Sequence, residues 1–309
     1  MSHSHDDERA PDPVLCEVSD GVFAYVQLDG SWGLNNSGFF VGGDGVLVVD
    51  TCFTERRSRA FLEAVRTVTD RRLRTLVNTH HHGDHTHGNW LLSEATIVGH
   101  RLCRESVIQS GHAAAGLFPG VEWGEIPITP PFVTFEDRLT IHVDDLAVEL
   151  VFAGPAHTTN DVVAWVPERR LLFAGDLVFN GGTPFVVMGS VEGSIAAVER
   201  LKALDPETVV PGHGDVCGPA ALDDQLAYLR FVQSVAREAV ASGTPALDAA
   251  RATDLGRFAE WHDPERLVGN LHRAMAEERG LVPGGDLDIL TAIQEMITFN
   301  GGHPLRCLA

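Results

Sequence analysis

Short apolar runs bounded by Gly, Asn and Asp occupy the first two thirds of the chain. GVFAYVQL from position 21, GFFVGG from 38 and GVLVVD from 45 are rich in β-branched and aromatic residues, which predicts strands. The period then becomes helical: Thr54 can cap a helix in which Phe61, Leu62, Val65 and Val68 recur at helical spacing. TLVNT (75–79) and TIVGH (96–100) read as buried strands, the second leading into a helix over 101–109. Residues 111–131 hold Gly, Pro and two bulky, exposed-looking side chains, Phe118 and Trp123, and so predict a long surface loop with a role. A second strand set follows in VTF, LTIHV, LAVELVFAG, DVVAWV and RLLFAGD, then a helix over 194–204 and the strand TVVPGH (208–213). Beyond Pro219 the pattern is helical only, over 222–241, from the cap pair Asp263-Pro264 to about Arg279, and over 287–300 up to Gly301-Gly302. The expected organisation is a loose, polar tail over 1–13, a two-part strand-and-helix unit over 14–219 and a helical region over 220–309.

Charge narrows the function. Lys and Arg number 23 against 43 Asp and Glu, a net charge of −20 with His neutral. Phosphate backbones and anionic lipid repel such a body, so no nucleic-acid and no membrane partner is expected. No stretch approaches the ~18 apolar residues of a membrane helix, and residues 1–13 lack a signal peptide's apolar core. Five scattered cysteines without a C-x-x-C form neither a disulfide framework nor a zinc ribbon, and they suit a cytoplasmic location.

Histidine carries the chemistry. There are 15, and His80-His81-His82-Gly83-Asp84-His85 follows directly on a buried strand. His80 and His82 share a face in extended backbone, and Gly83 lets the chain turn Asp84 and His85 toward the same region. Imidazole and carboxylate at this density suit zinc or another borderline divalent metal better than a chance surface cluster. His81 is expected to point away, and His87, His100 and His112 have no assigned role. His157 in AGPAHTTND, Asp176 in LLFAGD and His213 in VVPGHG each close an apolar run, so one rim of a sheet stack can gather all seven. Taken singly, each of these three is as well explained as an ordinary strand-end turn residue. Asp50 and Asp161 are candidates to accept ring N–H bonds from ligating histidines. Trp32, Trp90, Phe118, Trp123, Phe185 and Met188 are candidates to line a pocket for a flat acyl chain, with core packing as the alternative for each.

The order H-x-H-x-D-H, lone His, strand-ending Asp and final G-H-G resembles the metallo-β-lactamase-fold hydrolases, over roughly 21–219. The resemblance implies an α/β (α+β) fold, a four-layer αββα sandwich, here with a helical C-terminal extension. It implies two Zn2+ ions per chain: His80, His82 and His157 on the first, Asp84, His85 and His213 on the second, and Asp176 bridging. A bridging Asp is similar to glyoxalase II, lactonase and cyclase relatives, whereas true β-lactamases usually lack it. GSWGLNNSGFFVGGDGVLVVDT, VEWGEIPITPPFVTFEDRLTIHV and ITFNGGHPLRCLA further resemble the cyclase/thioesterases of aromatic polyketide pathways, of the actinorhodin kind.

On that resemblance, a hydroxide between two metals about 3.5–4 Å apart attacks an acyl carbonyl, which needs no Ser or Cys nucleophile. No G-x-S-x-G elbow is present. Asp84 would be the catalytic proton carrier as well as a ligand. The expected activity is a thioesterase/cyclase on an aromatic polyketide thioester, presented by an acyl carrier protein. Arg71, Arg72 and Arg74, or Arg101 and Arg104, are the basic patches that could meet such an acidic carrier. A lactone or glutathione thioester as substrate is the near alternative, and β-lactam cleavage is a weaker one. An iron-dependent oxidoreductase on the same fold is the alternative from another class, and decay to a non-catalytic binding protein would be expected to delete ligands.

Overall fold

The computed structural model describes residues 10–309, so most of the tail expected over 1–13 lies outside the described residues. A seven-stranded sheet runs in chain order: β1 (Val14–Ser19), β2 (Val22–Val26), β3 (Ser37–Gly42), β4 (Gly45–Val49), β5 (Leu73–Val77), β6 (Thr96–His100) and β7 (Val133–Phe135). Strands β1 to β4 are antiparallel neighbours, and β4 to β7 pair in parallel. Parallel neighbours need crossovers; these carry α1 (Glu55–Val68), the single turn α2 (Gly83–Thr86) and α3 (Arg101–Ser110).

The second sheet holds β8 (Arg138–Val143), β9 (Leu146–Phe152), β10 (Val162–Val166), β11 (Leu171–Phe179) and β12 (Thr208–His213), in the order β12-β11-β10-β9-β8. Only β11 and β12 are parallel there, and α4 (Val191–Ala203) joins them. The chain continues through α5 (Ala220–Ser242), α6 (Ala246–Ala252), α7 (Arg266–Glu278) and α8 (Ile289–Phe299).

Period-2 alternation sorts side chains into layers. On β4, Val46 and Val48 pack with Phe61 and Val65 of α1, while Leu47 and Val49 face Leu150 and Phe173 of the other sheet. On β10, Val162 and Ala164 join that inter-sheet core, and Val163 and Trp165 face the C-terminal helices. The order is helices, sheet, sheet, helices, as the αββα reading requires. A single core cluster links Leu172 of β11, Val198 of α4, Leu229 of α5 and Leu271 of α7.

Thr54 caps α1 as expected, its hydroxyl accepting from Arg57 N at 3.3 Å. Three details differ from the sequence reading. VTF is the edge strand β7 of the first sheet, paired to β6, rather than part of the second set. Strand β1 and helix α6 were not expected. Asp263 does not cap α7: it sits at φ 55° and ion-pairs with Arg266 at 2.8 Å, and Glu265 occupies the cap position.

Candidate metal centre

The seven residues leave the sheets at neighbouring ends. His80 and His82 lie in the loop after β5, Asp84 and His85 on α2, His157 after β9, Asp176 within β11 and His213 at the end of β12. The histidine loop is held from below by an amide pair. Asn89 Nδ2 donates to Asn78 Oδ1 at 2.8 Å, and Asn78 Nδ2 donates to the His85 carbonyl at 3.1 Å.

Asp176 is not a strand-end residue. Strand β11 is buried throughout and continues to Phe179, with a register irregularity around Gly175, whose φ is 52°. Such a bulge re-aims the following side chain, and Asp176 points into the histidines. Its Oδ1 lies 3.0 Å from His85 Nε2, and its Oδ2 lies 3.3 Å from both His157 Nε2 and His213 Nε2.

Two groups result, each with its ligand-type atoms within 4.8 Å of one another: His80, His82, His157 and Asp176; and Asp84, His85 and His213. Asp176 also reaches His85 and His213 of the second group, so one carboxylate touches both sets. Asp84 Oδ2 lies 3.3 Å from His213 Nε2.

The far nitrogens of four of these histidines are engaged away from the cluster. His85 Nδ1 pairs with Asp50 Oδ2 at 2.8 Å, His213 Nδ1 donates to Gly30 O at 3.0 Å, and His157 Nδ1 donates to Phe185 O. His80 Nδ1 meets Thr79 Oγ1 at 3.1 Å. Carbonyl and carboxylate partners of this kind set the tautomer and leave Nε2 as a bare donor for a metal. His80 Nε2, His85 Nε2 and Asp176 Oδ1 are buried and have no hydrogen-bond partner. Orphaned buried atoms cost free energy unless something satisfies them. Five imidazoles and two carboxylates with converging atoms, three of them unpartnered, fit a pair of borderline dications.

The fields are strong. Burial would raise the Asp176 carboxyl, but His213, His85 and His157 hold it far below the usual carboxylate range. Burial also opposes ionisation of Asp84, and His85 and His213 again prevail. His213 is pushed up to about 9, where Asp176 and Asp84 outweigh burial. His80 and His82 go the other way, depressed by burial and by neighbouring imidazoles.

Asp50 behaves as expected of a supporting residue. At φ 58° and almost fully buried, it accepts from Thr79 N at 2.8 Å and Thr79 Oγ1 at 2.7 Å as well as facing His85. Asp50→Asn should weaken metal affinity about 10- to 100-fold, checked by competition against a chromophoric chelator. Asp161 takes a different part from the one expected. Its carboxylate accepts from Thr158 N, Thr158 Oγ1 and Ala156 N, so it shapes the turn that presents His157 and touches no ring nitrogen. His81 stands outside both groups, with Nδ1 facing Asn160 Nδ2 at 3.1 Å.

A cavity of about 330 Å³ opens beside His82, Asp84 and Met188. Trp32, Phe118 and Phe185 line it, edge-to-face or tilted at 4.9–5.8 Å. Phe118 is therefore buried, not a surface group. Trp90 and Trp123 do not line it. The Arg59 guanidinium covers Trp90, and Trp123 stacks edge-on behind Phe53 at 4.7 Å. Leu117 and Ile128 of the 111–131 segment add to the wall, as do residues of elements not expected to contribute: Val107 of α3 and Ile289, Ile293 and Met296 of α8. Their spacing signals an amphipathic helix but not whether its apolar stripe meets core or cavity.

Helix α7 fastens this wall. Asn270 accepts from Val186 N at 2.9 Å and donates to Pro184 O at 2.7 Å, and Arg273 donates twice to Val187 O. Asn270→Ala should cost about 1–3 kcal/mol for each group it orphans, read as a lower denaturant midpoint at unchanged slope.

Residues 30–213 match the family model described as Metallo-beta-lactamase superfamily. The chain is 28% identical over 200 residues to the 2,4-dinitroanisole O-demethylase subunit alpha of Nocardioides sp. (strain JS1661), covering 63% of this chain and 54% of that protein. It is 31% identical over 142 residues to the hydroxyacylglutathione hydrolase of Methylococcus capsulatus, 45% of this chain and 47% of that one. The chain thus spans about half the length of these two relatives. A solved metallo-beta-lactamase from Pontibacter korlensis superposes with a TM-score of 0.59 at 20% identity, over 71% of this chain and 99% of its own.

Proposed function

The chain belongs to the metallo-beta-lactamase superfamily, and from that premise we propose that it is a dinuclear zinc hydrolase of acyl compounds, acting as a thioesterase/cyclase on an aromatic polyketide thioester. The observation that carries the hydrolase part is Asp176, whose two oxygens lie within 3.0–3.3 Å of histidines from both groups. Bound there, paired dications supply Lewis acidity toward a carbonyl and lower the pKa of water to about 7.

The chain's own groups supply the rest. His80, His82 and His157 would hold one ion and Asp84, His85 and His213 the other, with Asp176 within reach of both sets. Asp84 is partly exposed toward the cavity, so its carboxylate can take a proton there and pass it to a leaving group. Trp32, Phe118 and Phe185 orient a flat acyl chain against the centre, and the wall of α8 excludes water from it.

The cavity's character favours this substrate over a glutathione thioester. Among the described residues its lining contains one Lys or Arg side chain, Arg266, which is already paired with Asp263, so the tripeptide's carboxylates would find no free Lys or Arg there. If α3 supplies the carrier patch, Arg104 is its candidate: it donates to Pro131 O, whereas Arg101 is paired with Glu105 and Glu136. Arg71, Arg72 and Arg74 lie around the start of β5, at the opposite end from the histidine loop. No helix among the described residues is long and apolar enough to cross a membrane, and the five cysteines are free. A cytoplasmic location is proposed from the sequence alone, whose scattered cysteines suit a reducing compartment.

The test compares kcat/KM for N-acetylcysteamine thioesters of acetate and of a naphthoyl acid with S-lactoylglutathione and a γ-lactone. The naphthoyl thioester should lead by about tenfold or more. Preference for S-lactoylglutathione or the lactone would overturn the substrate assignment.

A further inference from the structure

Four side chains from four parts of the chain form one continuous stack that leads into the metal centre: Trp32, Arg266, Phe179 and His213. The Arg266 guanidinium carbon lies 3.9 Å from the Trp32 ring centroid and 5.2 Å from that of Phe179. On its far side Phe179 meets two of the histidines: His213, with ring centroids 5.1 Å apart and planes 7° from parallel, and, less closely, His157, tilted at 5.9 Å. We propose that Arg266 of the C-terminal helical region is a positioning residue for His213, acting through the ring of Phe179 and through the loop that carries Trp32. The inference rests on the metal-centre reading above and deepens it.

The backbone around His213 is already fixed. Asn36 N donates to Gly212 O at 2.7 Å, and Asn36 Nδ2 donates to Pro211 O and Gly214 O. What remains to be set is the rotation of the imidazole, on which the aim of Nε2 depends. Besides Asp84 and Asp176 at Nε2, two contacts from outside the cluster set it: the bond from Nδ1 to Gly30 O, and the parallel face of Phe179.

Both lead to the start of α7. Gly30 belongs to the loop that ends in Trp32, and the Trp32 indole N–H donates to Glu265 Oε1 at 2.8 Å. The same Trp32 ring lies under Arg266. Arg266 is in turn held in its plane by Asp263 Oδ2 at 2.8 Å and by donating to Thr183 O at 2.9 Å. It is 1% exposed, yet its Nε has no hydrogen-bond partner.

Taking a guanidinium out of water is costly, and an apolar side chain of similar volume would fill the same space more cheaply. What the guanidinium adds is a rigid plane with two fixed edges, sandwiched between two aromatic faces, which a flexible ammonium does not reproduce. The stack therefore explains how a helical region remote in sequence from the histidine loop becomes part of the metal centre.

The test uses the full chain with Arg266→Lys, which keeps the charge facing Asp263, and Phe179→Leu, which keeps the Arg266–Asp263 pair but removes the ring between. Each is titrated with zinc against a chromophoric chelator, and the double variant is measured with them. In Arg266→Lys one of the two zinc equivalents should lose about 10- to 100-fold in affinity while the other is unchanged, and in Phe179→Leu the same equivalent should lose at least as much. Lysine should not rescue, and the double variant should lose less than the product of the two single losses, because the contact through Phe179 is common to both. In chelated protein, the His213 ring proton resonance should move in both variants, a readout that needs no metal. Two unchanged zinc affinities, with or without a lower melting temperature, would overturn the proposal, as would an unmoved His213 resonance. Failure of the wild-type chain to take up two ions would show separately that the dinuclear reading is at fault.

Discussion

Asp176→Ala is expected to lower kcat/KM by more than about 100-fold, beyond the 10- to 100-fold cost of removing an outer partner of a metal ligand. The reason is that one side chain serves both donor groups. Its Oδ1 sits 3.0 Å from His85 Nε2, and its Oδ2 sits 3.3 Å from His157 and His213. Without it, three imidazole nitrogens lose their common counter-charge, and either ion would be held by three residues alone. The chain should still fold, because β11 is paired on both edges, to β10 and to β12. Steady-state kinetics, metal content and the circular dichroism spectrum check this together. Full activity at native metal content would contradict the role of Asp176.

Gly212→Ala should inactivate the protein from the neighbouring strand. A Cβ on Gly212 would fall on Asp176 Oδ1 and within 2.7 Å of Asp176 N and the Gly175 carbonyl carbon. Two of those atoms are backbone of a nine-residue buried strand, so they cannot step aside as a flexible side chain would. Either Asp176 is pushed off the histidines or β11 and β12 separate. Overpacking of this kind costs about 1–3 kcal/mol or more. We expect a lower melting temperature and a kcat/KM reduced as far as in Asp176→Ala. A soluble variant with wild-type kinetics would show that the contact between β11 and β12 is looser than described.

The candidate site was legible where chemistry is concentrated locally. Five of the eight residues from His80 to His87 are histidine, and no structural need of a strand end calls for that. His157 and His213 stood out because each interrupts apolar sequence beside glycine or small residues. Asp176 was found for an incomplete reason. A carboxylate inside a buried strand reads as the strand's end, and only the bulge at Gly175 shows how β11 continues past it.

Residues whose role depends on distant partners were not legible. Asp161 lies four positions past His157, which suggested contact, but the turn folds its carboxylate onto Thr158 N and Ala156 N instead. Nothing in VTF distinguishes membership of one sheet from the other, since pairing with β6 is decided across more than thirty residues. Trp90 and Trp123 are as bulky as Trp32, yet what separates them is Arg59 over one and Phe53 before the other. Likewise Ile289, Ile293 and Met296 face the cavity because α7 holds α8 there, a fact of packing and not of spacing.

Crystals grown with zinc and measured on both sides of its absorption edge test the central claim most directly, combined with elemental analysis of the purified chain. Two zinc equivalents are predicted, with two anomalous peaks: one among His80, His82 and His157, one among Asp84, His85 and His213, and Asp176 oxygens facing both. A single peak, one equivalent of iron, or peaks away from these seven side chains would contradict it.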